Sequence, residues 1–393
     1  METDIAADAR CLSVATASQS FFFTSPWKSL SAEGRFISVT TPAWQGDDLH
    51  GTFQQAVRAA FTAARQAGIA RPLLVGAVPF DTRQPSALFI PRQSQFFSRQ
   101  PCSPQIDGLP APEITACRAL PEKAPFMAMV AQAISATARP DLEKVVLSRL
   151  LDITTAQPVR PEQILNRLMA QNPDGYHFYL PLADGSTLLG ASPELLLRKS
   201  AEHFSSLPLA GTARRDRHSP ERDEATGRQL MQSQKDRHEH QLVTRAMQQL
   251  LQPRSTAFAI AQQPQLVSTP TLWHLATPIE GEVRSPQETA LSLACLLHPT
   301  PALSGYPHAA ARQWIARLEP FERKLFGGMV GWCDEEGNGE WVVTIRCATL
   351  AGRHIRLFAG AGIVPASSPE AEWHETGSKL NTLLQVLGLQ PQG

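Results

Sequence analysis

The chain lacks the features that mark secreted, membrane-spanning or nucleic-acid-binding proteins. Its 393 residues include 36 Lys plus Arg and 36 Asp plus Glu, so the formal net charge is zero and no overall field draws it to nucleic acid or anionic lipid. No apolar run approaches the roughly 20 residues that cross a bilayer. The six cysteines form no C-x-x-C pair, and the opening METDIAADAR resembles no signal peptide. We therefore expect a cytoplasmic protein with free thiols and with neither nucleic acid nor membrane as a partner.

Two familiar ligand motifs are also missing. The HEH run at residues 238–240 does not have the i, i+4 histidine spacing of a zinc-binding H-E-x-x-H helix, which argues against a histidine zinc site. The segment AGAGIV contains Gly360 and Gly362, but it lacks the strand, helix and distant acidic residue of a dinucleotide site. We interpret AGAGIV as a close approach of the backbone to a ligand.

The first third of the chain alternates helix and strand patterns. Apolar residues from Phe53 to Ala64 recur at helical spacing before Gly68, and PLLVGAVPFD is typical of a buried strand. Residues 92–122 are rich in Pro, Ser and Gln without a period, which predicts a long surface connection. A second amphipathic helix is predicted over residues 126–137.

From Lys144 onward the pattern predicts mainly strands joined by tight turns. Hairpins are predicted at residues 183–185 and 336–339. One long helix is predicted over about 221–251, with shorter helices near 287–297 and 309–318 and a last helix through Leu380 and Leu387. This order predicts an α+β fold in which large antiparallel sheets pack as a sandwich with helices outside. We expect residues 1–115 to form an N-terminal part of the sandwich and residues 116–393 the catalytic domain, in one compact unit.

Four short segments set ionisable side chains among apolar neighbours. They are EKVVLSRLL with Lys144, LLGASPELLLR with Glu194, KDRHEHQLV with Glu239 and EWHETGSKL with Glu375. Burial of a charge costs several kcal/mol unless the charge is paired or bound to a metal, so such positions often mark chemistry. Together the four segments predict one active site.

Taken singly, two of these residues have simpler interpretations. Lys144 opens a strand and shares a face with Val146 and Ser148; from this segment alone, a lysine that extends its amine from the strand end to water is favoured. Glu194 follows Pro193 at the head of another strand, where a carboxylate facing water is as good an interpretation as a buried acid.

The two helical carboxylates also allow alternatives. Glu239 lies on one stripe with Val243 and points inward, where an internal salt bridge and a metal site are about equally supported. Glu372, Glu375 and Lys379 share a face of the last helix, and alone they are better interpreted as a solvated salt-bridge ladder. Carboxylates without His or Cys partners would suit Mg²⁺, a hard ion.

Ten segments in order decide between these alternatives by resemblance. They are KVVLSR, GASPELLLR, PLAGTARR, QKDRHEH, LWHLATP, LHPTPALSG, GGMVGW, GEWVVTIRCA, LFAGAGIVPAS and EWHETGSKL, over about residues 144–381. This series resembles the chorismate-utilising enzymes, and most closely the isochorismate synthases that supply 2,3-dihydroxybenzoate for enterobactin-like siderophores. The resemblance implies an α+β sandwich, dependence on Mg²⁺ and a cleft that binds chorismate.

The resemblance also implies a role for each candidate residue. Lys144 would be the base that activates water for attack on ring carbon C2, and Glu194 the acid that protonates the departing C4 hydroxyl. The remaining roles are Mg²⁺ ligands (Glu239, Glu375), carboxylates close to those ligands (Asp236, Glu372), anchors for the substrate carboxylates (Arg346, Lys379), backbone contacts (Gly211, Thr212, Gly360) and cavity walls (His274, Leu303, Phe326). From LWHLAT alone, His274 is more often a core residue than a functional one.

The nucleophile separates the reactions within this family. Anthranilate synthases place Gln where Lys144 stands, and aminodeoxychorismate synthases place Lys where Ala210 stands, so neither ammonia-using pattern fits. Salicylate synthases keep the lysine, eliminate pyruvate and often carry Tyr at the position of Phe326. We expect an isochorismate synthase that acts as a monomer without a glutaminase subunit. A salicylate synthase, a menaquinone-pathway enzyme and a chorismate-binding subunit without independent turnover remain the alternatives.

Overall fold

A computed structural model of the chain describes residues 20–99 and 111–389. The strands of this part are β1 Phe21–Thr24, β2 Ser29–Val39, β3 Leu73–Val78, β4 Ala87–Phe97, β5 Ile114–Leu120, β6 Lys144–Thr155, β7 Tyr176–Pro181, β8 Thr187–Ser192, β9 Leu195–Ser200, β10 His203–Leu207, β11 Leu209–Arg214, β12 Ser255–Ile260, β13 Gln265–Ser268, β14 Leu272–Ala276, β15 Ile279–Val283, β16 Gly305–Tyr306, β17 Met329–Asp334, β18 Gly339–Val343, β19 Cys347–Ala351 and β20 His354–Ile363. The α-helices are α1 Thr52–Gln66, α2 Lys123–Thr137, α3 Pro161–Gln171, α4 Pro220–Gln232, α5 Gln234–Leu251, α6 Ala290–Leu297, α7 His308–Leu318 and α8 Pro369–Val386.

Most of the strands build one large antiparallel sheet, which folds into two leaves. Strand β1 pairs with β2 on one side and with β7 on the other, so it joins the leaves. The first leaf continues from β7 through β8, β19, β20 and β6 to β5. The second leaf runs from β2 through β4, β3, β17, β18, β9, β10 and β15 to β12. Strands β11, β14 and β13 form a small separate sheet.

Three apolar cores follow from this arrangement. One lies between the leaves and contains Phe23 and Phe178 with Val75 and Trp332. A second packs the outer side of the second leaf against helices that include α1, α5, α6 and α7, and a third packs the first leaf against α3 and α8. The predicted α+β class, with antiparallel sheets in a sandwich and helices outside, is therefore confirmed.

Several local predictions are confirmed as well. Helix α1 ends at Gln66, and Gly68 behind it has a φ of 84°, a left-handed conformation that glycine adopts without strain. Strand β3 is fully buried. The predicted hairpins are β7–β8 and β17–β18, whose turns contain Gly185 (φ 81°) and Gly337 (φ 84°).

The predicted long helix over residues 221–251 is wrong, because the segment folds as two helices, α4 and α5. Ser233 separates them with an extended backbone (φ −63°, ψ 115°). Its hydroxyl accepts a hydrogen bond from the backbone N–H of Asp236 and so caps the start of α5. A serine inside a helical period is compatible with one continuous helix or with two, and the hydrogen bond that caps α5 favours two.

The prediction of a long connection over residues 92–122 is wrong at both ends. Strand β4 extends to Phe97 and β5 begins at Ile114, while residues 100–110 lie outside the described residues. The second half of β4 is largely exposed, so its sequence shows no inward-facing period. Helix α3 is a further difference, since it interrupts a region predicted as strands and turns.

Strands from both sides of residue 116 pair directly, β1 with β7 and β3 with β17. The boundary at residues 115 and 116 stays a prediction. Among the described residues no helix is long and apolar enough to cross a membrane. Among the described residues Cys295, Cys333 and Cys347 are free thiols, whereas Cys11 and Cys102 lie outside the described part.

Candidate active site

One enclosed cavity gathers most of the predicted site residues. It lies among β6, β11, β20 and α8 and the segments that precede β9 and β17. The predicted residues in its wall are Glu194, Gly211, Thr212, Glu239, His274, Leu303, Phe326, Arg346, Gly360, Glu375 and Lys379. Three predicted residues, Lys144, Asp236 and Glu372, do not line it. The tertiary fold thus brings together predicted residues that lie between positions 194 and 379 of the chain.

Lys144 lies directly behind the cavity wall, covered by Glu239. Its side chain is fully buried, and its Nζ is 2.9 Å from Glu239 Oε1. The interpretation of Lys144 as a lysine that reaches water is therefore wrong. Burial opposes ionisation of Glu239, but the charges of Lys144 and Lys235 outweigh it and hold the pKa of Glu239 below its ordinary value.

Glu194 faces the cavity from the segment between β8 and β9. It is 3% exposed, so the alternative of a carboxylate facing water is wrong. Its Oε1 accepts a hydrogen bond from the backbone N–H of Leu209 at 3.4 Å. Burial raises the pKa of Glu194 to about 7, although Leu209 and the nearby charges of Arg346 and Lys144 act in the opposite direction. At neutral pH this carboxyl can hold a proton and release it.

The polar face of α8 is enclosed rather than solvated. Lys379 Nζ donates to Glu375 Oε1 at 2.7 Å and to the carbonyl oxygen of Gly360 at 2.8 Å. Glu372 is fully buried and accepts at Oε1 from Lys235 Nζ at 2.7 Å. Burial, with the charge of Glu375, raises the pKa of Glu372 to about 7. The interpretation of this face as a solvated ladder is wrong, although its i, i+4 pair does form.

A divalent cation could be held where these carboxylates converge. In residues 20–99 and 111–389 no three His, Cys, Asp or Glu side chains form a group that could hold a metal ion, and Glu239, Glu375 and Glu372 are each paired with a lysine. Glu372 Oε2 is nevertheless buried without a hydrogen-bond partner. Glu239 and Glu375 both line the cavity, and carboxylate oxygens are donors that suit a hard ion such as Mg²⁺.

The cavity also offers groups for an anionic ligand. Arg346 is 8% exposed and holds a left-handed backbone (φ 48°), which is uncommon for a residue other than glycine. Burial lowers the pKa of Arg346 to about 10, so it stays a cation at neutral pH. Burial also lowers the pKa of His274 far below its ordinary value, so this imidazole is neutral. Its Nδ1 lies 3.2 Å from Thr212 Oγ1, and its Nε2 has no partner.

Apolar rings and close backbone contacts complete the wall. Phe326 stacks on Phe358 with ring centroids 4.9 Å apart and an interplanar angle of 8°. Gly211 has a φ of 81°, and a Cβ there would lie 3.1 Å from the Cβ of Asp236. Burial raises the pKa of Asp236, which lies on α5 behind this contact. These contacts give the cavity a flat apolar side.

Sequence reasoning missed two polar residues of the site. Lys235 precedes Asp236 in QKDRHEH, but its partner Glu372 is 137 positions away, so no local signal identified the pair. Ser148 lines the cavity, fully buried, with a hydroxyl that has no partner. The sequence did contain one indication of this position, because Ser148 shares a strand face with Lys144.

Gly362 refines the interpretation of AGAGIV. A Cβ on Gly362 would overlap Glu239 Oε1 and lie 2.9 Å from Lys144 Cε. The segment therefore does make a close approach, and in this structure it is an approach to the ion pair of Lys144 and Glu239.

The model of the family described as "Chorismate binding enzyme" matches residues 99–388. The chain belongs to this family. It is 55% identical to the isochorismate synthase EntC of Escherichia coli K12 over 394 aligned positions, which cover 99% of this chain and 100% of that protein. The resemblance to chorismate-utilising enzymes is thus confirmed.

Solved structures of two family members match the whole architecture. DhbC from Bacillus anthracis, named as a 2,3-dihydroxybenzoate-specific isochorismate synthase, superposes with a TM-score of 0.89 at 36% identity, covering 98% of this chain and 100% of that one. MenF, the menaquinone-specific isochorismate synthase of Escherichia coli, gives a TM-score of 0.79 at 25% identity, covering 95% and 90%.

Proposed function

We propose that the chain is an isochorismate synthase, an isomerase that converts chorismate to isochorismate for a 2,3-dihydroxybenzoate siderophore. Its identity to EntC over nearly the full length of both proteins supports this reaction. The observation that carries it is the cavity itself, which contains a buried carboxyl of raised pKa and cationic side chains, with a buried amine directly behind its wall.

Glu194 is the proposed acid. Loss of the C4 hydroxyl from the ring requires a proton, because hydroxide is a poor leaving group. A carboxyl with a pKa of about 7 is protonated in a large fraction of molecules at neutral pH and can still give up its proton. Its ordinary value of 4.5 would leave it almost wholly ionised.

Lys144 is the proposed base. Addition of water at C2 requires removal of a proton from the water on the side opposite the acid. The Lys144 amine is fully buried 2.9 Å from Glu239, and the identity of the chain to an isochorismate synthase supports the role of base for it. Its partner Glu239 lies between it and the cavity, so Glu239 has to shift before the amine reaches water.

Glu239 and Glu375 are the proposed ligands of Mg²⁺, with Asp236 and Glu372 close to them. When bound, the ion would neutralise these carboxylates and bind a carboxylate of the substrate. Arg346 and Lys379 would add cationic anchors in the same wall, which matters because chorismate is a dianion and the protein has no net charge. Gly211, Thr212 and Gly360 would supply backbone contacts, and His274, Leu303 and Phe326 would enclose the ring.

Incubation of the purified chain alone with chorismate and Mg²⁺ tests the proposal. We expect isochorismate, resolved from chorismate by chromatography, without added glutamine, ammonia or partner protein. Pyruvate, measured with lactate dehydrogenase, should stay near background. Abundant pyruvate would favour a salicylate synthase, and no turnover without a partner would contradict a lone enzyme.

The pathway has its own test. A deletion strain grown without iron should recover when 2,3-dihydroxybenzoate is added. Recovery with a menaquinone precursor instead would contradict the siderophore route.

A further inference from the structure

Strand β6 has a gap along one edge beside the active cavity. On one side β20 pairs with it from Val145 to Thr154. On the other side β16 pairs only with Lys144 and Val145, and β5 pairs only from Leu150 onward. Between these two partners the backbone of residues 146–149 has no neighbouring strand on that side.

A buried ion pair occupies this gap. Glu319, at the end of α7, accepts at Oε1 from the backbone N–H of Ser148 at 2.8 Å. Arg323 donates from its NH2 group to the carbonyl oxygen of Val146, also at 2.8 Å. The two side chains join each other through two bonds of 2.9 and 2.5 Å and are 2% and 3% exposed. Together with the carbonyl oxygen of Ser304, which accepts from the backbone N–H of Val146 at 3.0 Å, they replace the hydrogen bonds that a neighbouring strand would make.

The same arginine also holds a second wall of the cavity. Its NH1 group donates to the carbonyl oxygen of Leu303 at 2.7 Å, and its guanidinium carbon lies 4.3 Å from the centre of the Phe80 ring. Leu303, Val146 and Ser148 all line the active cavity, whereas Glu319 and Arg323 do not. One ion pair thus fixes the spacing between two cavity walls without touching the ligand space.

We propose that Glu319 and Arg323 are positioning residues for the reaction. They fix the backbone of β6 two to four residues after Lys144, and they fix Leu303 across from it, so that the base and the wall keep their distance from the ring. This inference rests on the proposed function for its kinetic part only. A buried ion pair is often no more stabilising than an apolar pair of the same shape, so stability alone is a weak reason for one here.

A second arginine–glutamate pair, whose glutamate is buried and whose arginine is 25% exposed, provides a control. Arg198 donates to Glu340 Oε1 at 2.9 and 2.5 Å between β9 and β18, and Glu340 is fully buried. Neither residue lines the active cavity. Arg323→Lys and Arg198→Lys both keep a positive charge and lose the planar fork, but only Arg323 also donates to backbone carbonyls of the cavity wall.

The kinetic test compares these two variants at saturating chorismate and Mg²⁺. We expect Arg323→Lys to lower kcat about 10- to 100-fold, the effect of a small misplacement of reacting groups. Arg198→Lys should stay within about twofold of the unmodified chain at a similar loss in Tm. Equal loss of activity in both variants at equal Tm, or an unchanged kcat in Arg323→Lys, would overturn the proposal.

A second variant and a readout without substrate separate this inference from the proposed function. Glu319→Gln removes the charge that holds the Ser148 N–H, so amide hydrogen exchange over residues 144–150 should accelerate at least tenfold, with little change over β18. Unchanged exchange there would overturn the inference even if the chain makes isochorismate. If the unmodified chain makes no isochorismate, the proposed function fails. Accelerated exchange in Glu319→Gln would then still support the inference that Glu319 and Arg323 hold the backbone of β6.

Discussion

Lys144 and Glu239 form a buried ion pair, with Lys144 Nζ 2.9 Å from Glu239 Oε1. The proposed base is therefore held by the carboxylate that is proposed to bind the metal ion. A cation bound by Glu239 would compete with Lys144 for the same oxygen. If both proposed roles hold, metal binding and release of the amine toward the cavity would be coupled through one side chain.

Lys144→Met should abolish most of the activity and destabilise the chain. Loss of the base should lower kcat by about 10²- to 10⁴-fold. Glu239 would keep a buried charge without its nearest partner, which costs about 3–5 kcal/mol in the free energy of unfolding. Isochorismate formation and urea denaturation measure the two effects, and unaltered turnover would refute the role of Lys144.

The pH dependence should report Glu194. The reaction needs the acid form of Glu194, and burial raises the pKa of this carboxyl to about 7, so kcat/KM should decrease above roughly pH 7. Glu194→Gln should abolish this decrease at high pH, together with most of the rate. The raised pKa also means that this group stabilises the fold most below about pH 4.5 and that the contribution is lost as pH rises through 7. A pH profile of the unmodified chain without a limb near 7 would contradict the assignment.

Glu239→Gln and Glu375→Gln should each raise the Mg²⁺ concentration for half-maximal activity by at least about tenfold, because each removes a charged oxygen from a proposed ligand. Glu370→Gln is the control. Glu370 lies on α8, the helix that also contains Glu375, but it is half-exposed and paired with Lys123. Calorimetric Mg²⁺ titration gives an independent readout. Equal Mg²⁺ affinity in all three variants would place the ion elsewhere.

Gly362→Ala should impair the site by steric overlap. The added methyl would meet Glu239 Oε1 and the Lys144 side chain and displace the ion pair, so we expect at least a tenfold loss of kcat. Gly175→Ala is the control, because the nearest atom to a Cβ there is 3.5 Å away. Similar kinetics for both alanine variants would show that the geometry at Gly362 is unimportant.

Much of the fold was accessible from local sequence. Helix α1, strand β3 and the two hairpins follow from short-range periods and from turn residues such as Gly185, because these depend on neighbours within a few positions. The break at Ser233 was not accessible in this way, because a helical period continues through it. The decision belongs to a hydroxyl that caps α5.

The candidate residues themselves were found by sequence reasoning and by family resemblance, but their environment was not. On local evidence Lys144 was expected to reach water and Glu372 to be solvated, and both are fully buried. Burial depends on what packs against a strand or helix from distant parts of the chain. No local pattern contains that information.

The sequence alone therefore determined the class of the fold, the positions of most helices and hairpins and the candidate ionisable residues, because spacing and resemblance are properties of a linear chain. Only the tertiary structure decided which charge meets which. The fold brings together segments that lie far apart along the chain. Across these segments Lys144 pairs with Glu239, and Lys235 pairs with Glu372. The buried pair of Glu319 and Arg323 closes the gap in β6 in the same way.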